Sequence, residues 1–363
     1  MTQSRGPGLR RMLGVLTVCA LGGLMLRVTA AEPPHYPDKA RLLVYKDAAG
    51  EHPVRTPADW AKRRAHILAA MQEVMGPLQD AATKVPLDVR VTEEVRTPHY
   101  LRKKLSYAAE KGDRVPAYLL VPLPRQGKLP AVLCLHQTNG PLGKAEPAGL
   151  GGKPNLHYAA ELAERGYVTL APDYPSFGEY PYDFAHSGYK SGSMKAIWNN
   201  IRAVDLLQGL PEVDGERIGC IGHSLGGHNT MFTAAFDPRI KALASSCGFT
   251  SFPKYYGGKL EGWTSDRYMP LIATKYDLAP RKMPFDFPEV VAAFAPRAFF
   301  TNSPLHDENF DNSGVRDCLA AARPVYELLG AGDKLQAIFP DCKHDFPPEA
   351  RQAAYRFLDR WLK

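Results

Sequence analysis

One serine lies in a pattern that is typical of a hydrolytic nucleophile. The segment 222–227 reads Gly-His-Ser-Leu-Gly-Gly; it follows the apolar run 217–221 and precedes a helix-like stretch from His228 to Phe236. A strand, a tight turn and a helix around one serine form the nucleophile elbow of serine hydrolases. The flanking glycines permit the close backbone approach that such a turn needs. We therefore predict that Ser224 attacks a carbonyl carbon.

A serine hydroxyl needs a base to take its proton. The histidines that follow Ser224 are His228, His306 and His344. His344 comes after the strand-like segment 335–339 and before the closing helix-like segment 348–362, which is where the base of such an enzyme belongs. His228 lies four residues into the helix behind the elbow, where we expect it to pack. We predict that His344 is the base.

The third member of a triad is an acid that orients the imidazole. Asp307 lies in the loop that leaves the strand-like segment 297–302, upstream of His344, in the order that the α/β-hydrolase fold requires. We predict that Asp307 is this acid. Glu308 and Asp311 remain alternatives, and each of the three carboxylates is also compatible with a solvated loop.

An oxyanion that forms during acyl transfer needs backbone donors. The residue after the nucleophile, Leu225, supplies one amide. The second is expected from the loop that follows the strand-like segment 131–135, where the Gln137 amide is the first choice and Thr138 the next. His136 ends this strand, and we expect it to be structural.

The elements that must position these residues alternate along the chain. Strand-like and helix-like segments alternate from Ala131 to Lys363, which predicts a mostly parallel central sheet with helices on both faces. Three alternating segments, 89–95, 101–108 and 115–121, predict antiparallel strands at one edge. The sequence therefore predicts an α/β-hydrolase fold over residues 87–363, with the site at the carboxyl ends of the strands.

The N-terminal part divides into two segments. Residues 1–31 combine an arginine pair, an apolar run of about 15 residues and small residues at the end, which predicts a secretory signal peptide. The run is too short to span a bilayer, so we expect no stable membrane insertion and a periplasmic or extracellular protein, by either Sec or twin-arginine export. Residues 32–86 predict a helical extension, whose helix 58–75 carries a packing stripe of Trp60, Ile67, Met71 and Met75.

Charge and cysteine content exclude several classes of function. The formal net charge of +7 falls to +3 without the four arginines of the predicted leader, so we expect no nucleic-acid partner. The chain has no C-x-x-C or H-E-x-x-H motif and no metal-spaced cluster of His and carboxylate, so neither a metal nor a cofactor is expected. Cys318 and Cys342 are predicted on the more exposed elements, and whether they pair is left open. The oligomeric state is also left open.

An aromatic insertion separates two of the predicted strands. Residues from about 248 to 296 are rich in aromatic side chains, including Trp263, and a segment of this length is expected to cap the active site. Its aromatic rings suit stacking on sugars or aryl esters, and they equally suit a small core of the cap itself. We predict that Trp263 lines the substrate pocket together with Tyr174 and Phe177 from the loop after segment 167–171.

Several segments together resemble a known family. They are Leu-His-Gln-Thr at 135–138, Ala-Pro-Asp-Tyr-Pro-Ser-Phe-Gly at 171–178, Arg-Ala-Val-Asp-Leu-Leu at 202–207, Val-Asp at 213–214, Arg-Ile-Gly at 217–219 and the elbow. With them the chain resembles the dienelactone-hydrolase and acetyl-xylan-esterase-like branch of secreted serine α/β-hydrolases. The resemblance implies cofactor-free hydrolysis of carboxylic esters by Ser224, Asp307 and His344, on acylated carbohydrate or other small acyl esters.

One departure and one alternative qualify this resemblance. Dienelactone hydrolases proper use a cysteine nucleophile, whereas this chain has Ser224, so esters of acylated sugars are favoured over dienelactone. The same elbow occurs in prolyl-oligopeptidase-like peptidases, which normally carry a propeller that residues 32–86 are too few to form. A peptidase or amidase of this fold without a propeller is therefore the second hypothesis.

Overall fold

The computed structural model describes residues 1–3 and 33–363. Residues 4–32, which hold most of the predicted signal peptide, lie outside the described part. The described chain contains eleven strands: β1 (Val44–Asp47), β2 (Gly50–Pro53), β3 (Arg90–Arg96), β4 (Tyr100–Glu110), β5 (Asp113–Pro122), β6 (Leu129–Leu135), β7 (Val168–Pro172), β8 (Val213–His223), β9 (Ile240–Ser246), β10 (Ala298–Asn302) and β11 (Leu335–Ile338).

Eight α-helices accompany these strands in the described residues. They are α1 (Pro57–Met75), α2 (Tyr158–Glu164), α3 (Gly192–Gly209), α4 (Leu225–Phe236), α5 (Leu271–Thr274), α6 (Phe287–Ala293), α7 (Asn312–Leu328) and α8 (Pro348–Leu362). In the part of the chain that the structure describes, no helix is both long and apolar enough to cross a membrane.

Nine strands form one sheet in the order β11-β10-β9-β8-β6-β7-β5-β4-β3. The strands from β11 to β7 are parallel to their neighbours, whereas β5, β4 and β3 continue the sheet in antiparallel pairs. This arrangement confirms the predicted α/β-hydrolase fold with antiparallel N-terminal edge strands.

The sheet is covered on both faces because successive strand residues point to opposite sides. In β6, Leu133 and Leu135 belong to a large apolar cluster that includes residues of α3, α4 and α7. The alternate residues Val132 and Cys134 belong to a second cluster with residues of α2 and α8. The parallel strands are thus buried on both faces, and their carboxyl ends are the edge at which functional side chains are gathered.

The N-terminal extension is richer in structure than a single helix. Strands β1 and β2 form an antiparallel hairpin, in which Asp47 pairs with Gly50, so residues 32–86 hold a hairpin in addition to the predicted helix. Two four-residue strands with mostly polar residues give too weak an alternation to be recognised. Helix α1 does form, and Thr56 caps it by accepting a hydrogen bond from the Asp59 amide.

The aromatic insertion between β9 and β10 holds α5, α6 and several short 3-10 turns. Arg63 of α1 forms an ion pair with Glu289 of α6, and both side chains are 1% exposed. The N-terminal extension and the insertion are therefore joined through a buried charge pair.

Cys318, expected on an exposed element, is buried in α7, and Cys342 is partly exposed. All five described cysteines are free thiols.

Candidate active site

Ser224 lies at a sharp turn between β8 and α4. Its backbone has φ 54° and ψ −116°, a strained conformation for a residue with a side chain. A Cβ atom at Gly226 would collide with the carbonyl oxygen of Leu135, and one at Gly227 would lie 2.7 Å from the Cα of Gly248. Glycine is therefore required at both positions, and the turn has the form of a nucleophile elbow.

The start of α4 supplies donors next to Ser224. Leu225 is the first residue of the helix, where backbone N–H groups have no partner within the helix. The positive end of the helix dipole lies at the same place, so developing negative charge there is stabilised. The predicted role of the Leu225 amide in an oxyanion hole is consistent with this position.

His136 fixes the loop that was expected to supply the second donor. Its Nε2 accepts the amide of Tyr174 at 2.9 Å, so its Nδ1 donates to the carbonyl of Gln137 at 2.6 Å. Burial lowers the pKa of His136, which keeps the ring neutral as this pattern requires. The Gln137 side chain donates to Glu146, whereas Thr138 lines the cavity beside Ser224. The expected structural role of His136 thus agrees with its contacts, and the choice between the Gln137 and Thr138 amides stays a prediction.

His344 and Asp307 form a hydrogen-bonded pair. His344 Nδ1 lies 2.9 Å from Oδ2 and 3.0 Å from Oδ1 of Asp307. The Asp307 side chain is 1% exposed, and that of His344 is 23% exposed. A carboxylate on Nδ1 fixes the tautomer that leaves Nε2 free to accept a proton.

The other candidates have different partners. Asp311 caps α7, where its side chain accepts the Ser313 amide at 2.8 Å. Glu308 is exposed and lies 3.6 Å from the Lys343 ammonium. His306 is exposed and contacts Asp341.

His223, the residue before the nucleophile, connects the elbow to the His344–Asp307 pair. The His223 ring lies 4.9 Å from the His344 ring, and its Nδ1 lies 2.9 Å from Ser246 Oγ. Burial, together with His344, lowers the pKa of His223 well below its usual range, so His223 is a neutral packing partner. The elbow and the His344–Asp307 pair therefore meet at one edge of the sheet.

Cys247 lies next to the same pair. Its Sγ, an oxygen of Asp307 and a nitrogen of His344 all lie within 4.8 Å of one another. Burial and the Asp307 carboxylate raise the pKa of the Cys247 thiol, which opposes the thiolate that a metal ligand must be. The chemistry of this donor set therefore fits a metal poorly, and the expectation of a metal-free site stays a prediction.

An open cavity of about 150 Å³ adjoins the nucleophile. Among the described residues that line it, none is Asp, Glu, Lys or Arg. The lining residues are Thr138, Ser224, Leu225, His228, Tyr255, Gly262, Trp263, Tyr268, Asn309 and Phe310. Trp263 therefore lines this cavity, and its contact with substrate stays a prediction.

The other two predicted pocket residues do not line this cavity. Tyr174 and Phe177 are 5% and 3% exposed, and they pack in a cluster with Ala196 and Leu225. The Tyr174 hydroxyl donates to the carbonyl of Arg267. They support the wall of the site from behind, because the loop after β7 folds inward and is not open to the cavity.

His228 packs, as expected, and it does so in the wall of the cavity. It lies four residues after Ser224 on α4, and residues at i and i+4 of a helix share one face. That spacing was the signal for a position at the site. Burial lowers the pKa of His228 to about 3, partly opposed by the Gly248 carbonyl, so the imidazole is neutral. Within the described residues neither ring nitrogen forms a hydrogen bond of normal distance and angle, so the contact with the Gly248 carbonyl is weak.

A family comparison agrees with this geometry. The model of the prolyl oligopeptidase family matches residues 155–363, more than half of the chain. The chain belongs to the prolyl oligopeptidase family. It is a serine hydrolase of the α/β-hydrolase fold, and the matched region of this family member contains Ser224, Asp307 and His344.

Relatives and solved structures agree on the fold. The chain is 27% identical to "Putative hydrolase YtaP" of Bacillus subtilis, over 69% of this chain and 84% of that protein. It is 26% identical to dipeptidyl-peptidase 5 of Porphyromonas gingivalis, over 85% of this chain but 45% of that protein. The structure resembles a glucuronoyl esterase from Solibacter usitatus, with a TM-score of 0.70 and 21% identity over 91% and 99% of the two chains. It also resembles acetyl xylan esterase 1 from Thermoanaerobacterium, with a TM-score of 0.56 and 17% identity over 81% and 92%.

Proposed function

We propose that this protein hydrolyses carboxylic esters through Ser224, His344 and Asp307. The observation that carries the proposal is the combination of a serine on a strained elbow and a buried Asp–His pair at the same sheet edge. A strained φ on a residue flanked by required glycines has no structural benefit of its own. It is explained when the hydroxyl must project clear of the strand and the helix.

The proposed reaction has two acyl-transfer steps. His344 Nε2 takes the Ser224 proton as Oγ attacks the ester carbonyl, and the same proton then goes to the departing alcohol. Asp307 holds the imidazole and stabilises the imidazolium. Water then attacks the acyl-enzyme, His344 takes its proton, and the proton returns to Ser224 as the acid leaves. The Leu225 amide and the Gln137 amide, with Thr138 as the alternative, would hold the oxyanion.

An ester substrate fits the cavity better than a peptide held by a terminus. A terminal ammonium or carboxylate would lose hydration in a cavity whose described lining offers it no opposite charge. The aromatic wall of Tyr255, Trp263, Tyr268 and Phe310 suits the apolar face of a ring. The glucuronoyl and acetyl xylan esterases of similar fold are named for esters of carbohydrates. We therefore favour acylated carbohydrate or other small acyl esters as substrates.

A peptidase or amidase is the second candidate. Membership in the prolyl oligopeptidase family and the similarity to dipeptidyl-peptidase 5 favour it. The same Ser-His-Asp chemistry cleaves amides, so the two candidates differ only in what the cavity accepts.

The deciding experiment is a substrate panel with a matched variant. Short-chain 4-nitrophenyl esters, acetylated xylan and a prolyl amide are offered to the native protein and to Ser224→Ala. We expect ester turnover that Ser224→Ala lowers by about 10⁴-fold or more, together with fluorophosphonate labelling that the variant loses. Turnover of the prolyl amide alone would favour the second candidate, and ester turnover retained by Ser224→Ala would refute the mechanism.

Export is part of the same proposal. The charged and apolar pattern of residues 1–31 supports a leader that is removed after export to the periplasm or the medium. Mass spectrometry of the exported protein should find an N-terminus near Glu32. An intact N-terminus would contradict this proposal.

A further inference from the structure

Three buried nitrogen atoms in the wall of the cavity have no hydrogen-bond partner among the described residues. They are Nδ1 and Nε2 of His228 and Nε1 of Trp263. His228 is 5% exposed and Trp263 is 3% exposed. Because an unsatisfied buried donor or acceptor is destabilising, such groups call for an explanation.

The two side chains form one polar feature in an otherwise aromatic wall. Their rings are in contact, with centroids 4.7 Å apart and an interplanar angle of 60°. Tyr268 also packs against both rings, at 5.9 Å from His228 and 6.3 Å from Trp263. The side chains that carry the unpaired nitrogens are therefore in contact, and both line the cavity that Ser224 also lines.

The charge state of His228 limits what it can bind. Its imidazole is neutral at every physiological pH, so one nitrogen donates and the other accepts. Trp263 Nε1 can only donate. A hydroxyl group both donates and accepts, and it carries no charge whose desolvation must be offset. The pair of side chains is thus complementary to a neutral hydroxyl.

We propose that His228 and Trp263 form a subsite that selects substrates carrying an uncharged hydroxyl on a ring-sized group. The proposal rests on the proposed esterase function and adds the chemistry of the substrate. The cavity of about 150 Å³ is comparable to one that accommodates a single benzene ring. The hydroxyl belongs either to a sugar unit or to the phenol of a hydroxyaryl acid.

Binding includes a small movement of a ring. The three nitrogens are shielded from bulk solvent. The terminal torsion of histidine is soft and broad, so a rotation of the His228 ring, with adjustment of the rings packed against it, brings a nitrogen to the hydroxyl. The hydrogen bond formed inside the cavity then satisfies a group that is unpaired without substrate.

The test compares matched ester pairs that differ in hydroxyl groups. An acetylated monosaccharide is compared with cyclohexyl acetate, and methyl 4-hydroxycinnamate with methyl cinnamate. The native protein should prefer the hydroxylated member of one pair by at least about tenfold in kcat/KM. A preference within the first pair identifies the bound hydroxyl as that of a sugar, and one within the second pair identifies it as that of a phenol. His228→Phe should reduce this preference to about threefold or less, and Trp263→Phe should reduce it in part.

Two further variants separate recognition from folding. His228→Asn keeps a donor and an acceptor, so it should retain more of the preference than His228→Phe does. Trp60 also has a buried, unpartnered Nε1 but lies on α1 and does not line the cavity, so Trp60→Phe is the matched control and should leave the hydroxyl preference unchanged. Equal loss on both members of a pair would show a structural role and overturn the proposal.

A third substrate distinguishes failure of the subsite from failure of the enzyme proposal. Turnover of 4-nitrophenyl acetate without any hydroxyl preference in the native protein would overturn the subsite alone. Absence of turnover on every ester, together with no fluorophosphonate labelling of Ser224, would overturn both proposals.

Discussion

Asp307 positions Phe310 as well as His344. The Oδ1 atom that lies 3.0 Å from His344 Nδ1 also accepts the Phe310 amide at 3.1 Å and the Asn309 amide at 2.9 Å. Phe310 lines the cavity, and its ring lies 6.0 Å from the His344 ring. One carboxylate therefore connects the proposed base to the wall of the substrate site.

This relationship leads to the first prediction, which separates Asp307 from Asp311. Asp307→Asn should lower kcat by about 10³- to 10⁴-fold, because an amide at this position favours the wrong imidazole tautomer. Asp311→Asn should change kcat by less than about tenfold, since Asp311 caps α7 and Asn is an equally good cap residue. Steady-state kinetics and thermal denaturation of both variants check the prediction. Exchanged behaviour would identify Asp311 as the acid.

The elbow glycines give a second prediction. Gly226→Ala should destabilise the fold by several kcal/mol or abolish folding, because the added Cβ meets the carbonyl of Leu135 and neither backbone segment can move away. Gly209→Ala is the matched control. It lies at the end of α3 with nothing within 4 Å of the added Cβ, so it should be neutral or stabilising by up to about 1 kcal/mol. Denaturant unfolding compares them, and a native-like Gly226→Ala would contradict the packing described.

The buried ion pair between the extension and the insertion gives a third prediction. Arg63→Met should lower the free energy of unfolding by about 3–5 kcal/mol, because Glu289 would be left charged and buried without its partner. Burial raises the pKa of Glu289, and the Arg63 guanidinium opposes that rise. The double variant Arg63→Met/Glu289→Leu should recover part of the loss. A double variant less stable than Arg63→Met would contradict this prediction, because it would show that an unpaired Glu289 is not the main cause of the loss in the single variant.

A fourth prediction concerns His228 and acid stability. The unfolded chain binds a proton at this side chain below about pH 6.5, whereas the folded protein does so only near pH 3. Stability is therefore lost as the pH falls through this window, by up to about 1.4 kcal/mol per pH unit. His228→Phe removes this loss, so its stability relative to the native protein should rise between pH 7.5 and pH 4.5. Trp60→Phe should show no such trend, and a pH-independent difference for His228→Phe would refute the prediction.

The sheet could be predicted from the sequence because its signals are local. Strands such as β6 are short apolar runs, and the glycines around Ser224 indicate the turn without any knowledge of distant contacts. The order of Ser224, Asp307 and His344 along the chain then follows from the fold class. These features depend on sequence patterns within a few residues or on order alone.

The buried positions of Tyr174, Phe177 and His228 depend on contacts between distant segments. Tyr174 and Phe177 looked available for substrate because loop residues are usually exposed, yet the Tyr174 hydroxyl donates to the carbonyl of Arg267 in the insertion, which buries it. The contact between the rings of His228 and Trp263, 35 positions apart in the sequence, likewise joins distant segments. No local pattern encodes such a pairing.

The uncharged lining of the cavity has a consequence for turnover. In the proposed reaction the ester arrives neutral, and the acid that leaves Ser224 is a carboxylate at neutral pH. Within the described lining no cationic side chain is present to retain that anion, and His228 stays unprotonated. The carboxylate product is thus better solvated by water than by this lining. We therefore expect the acid product to be a weak inhibitor of the enzyme.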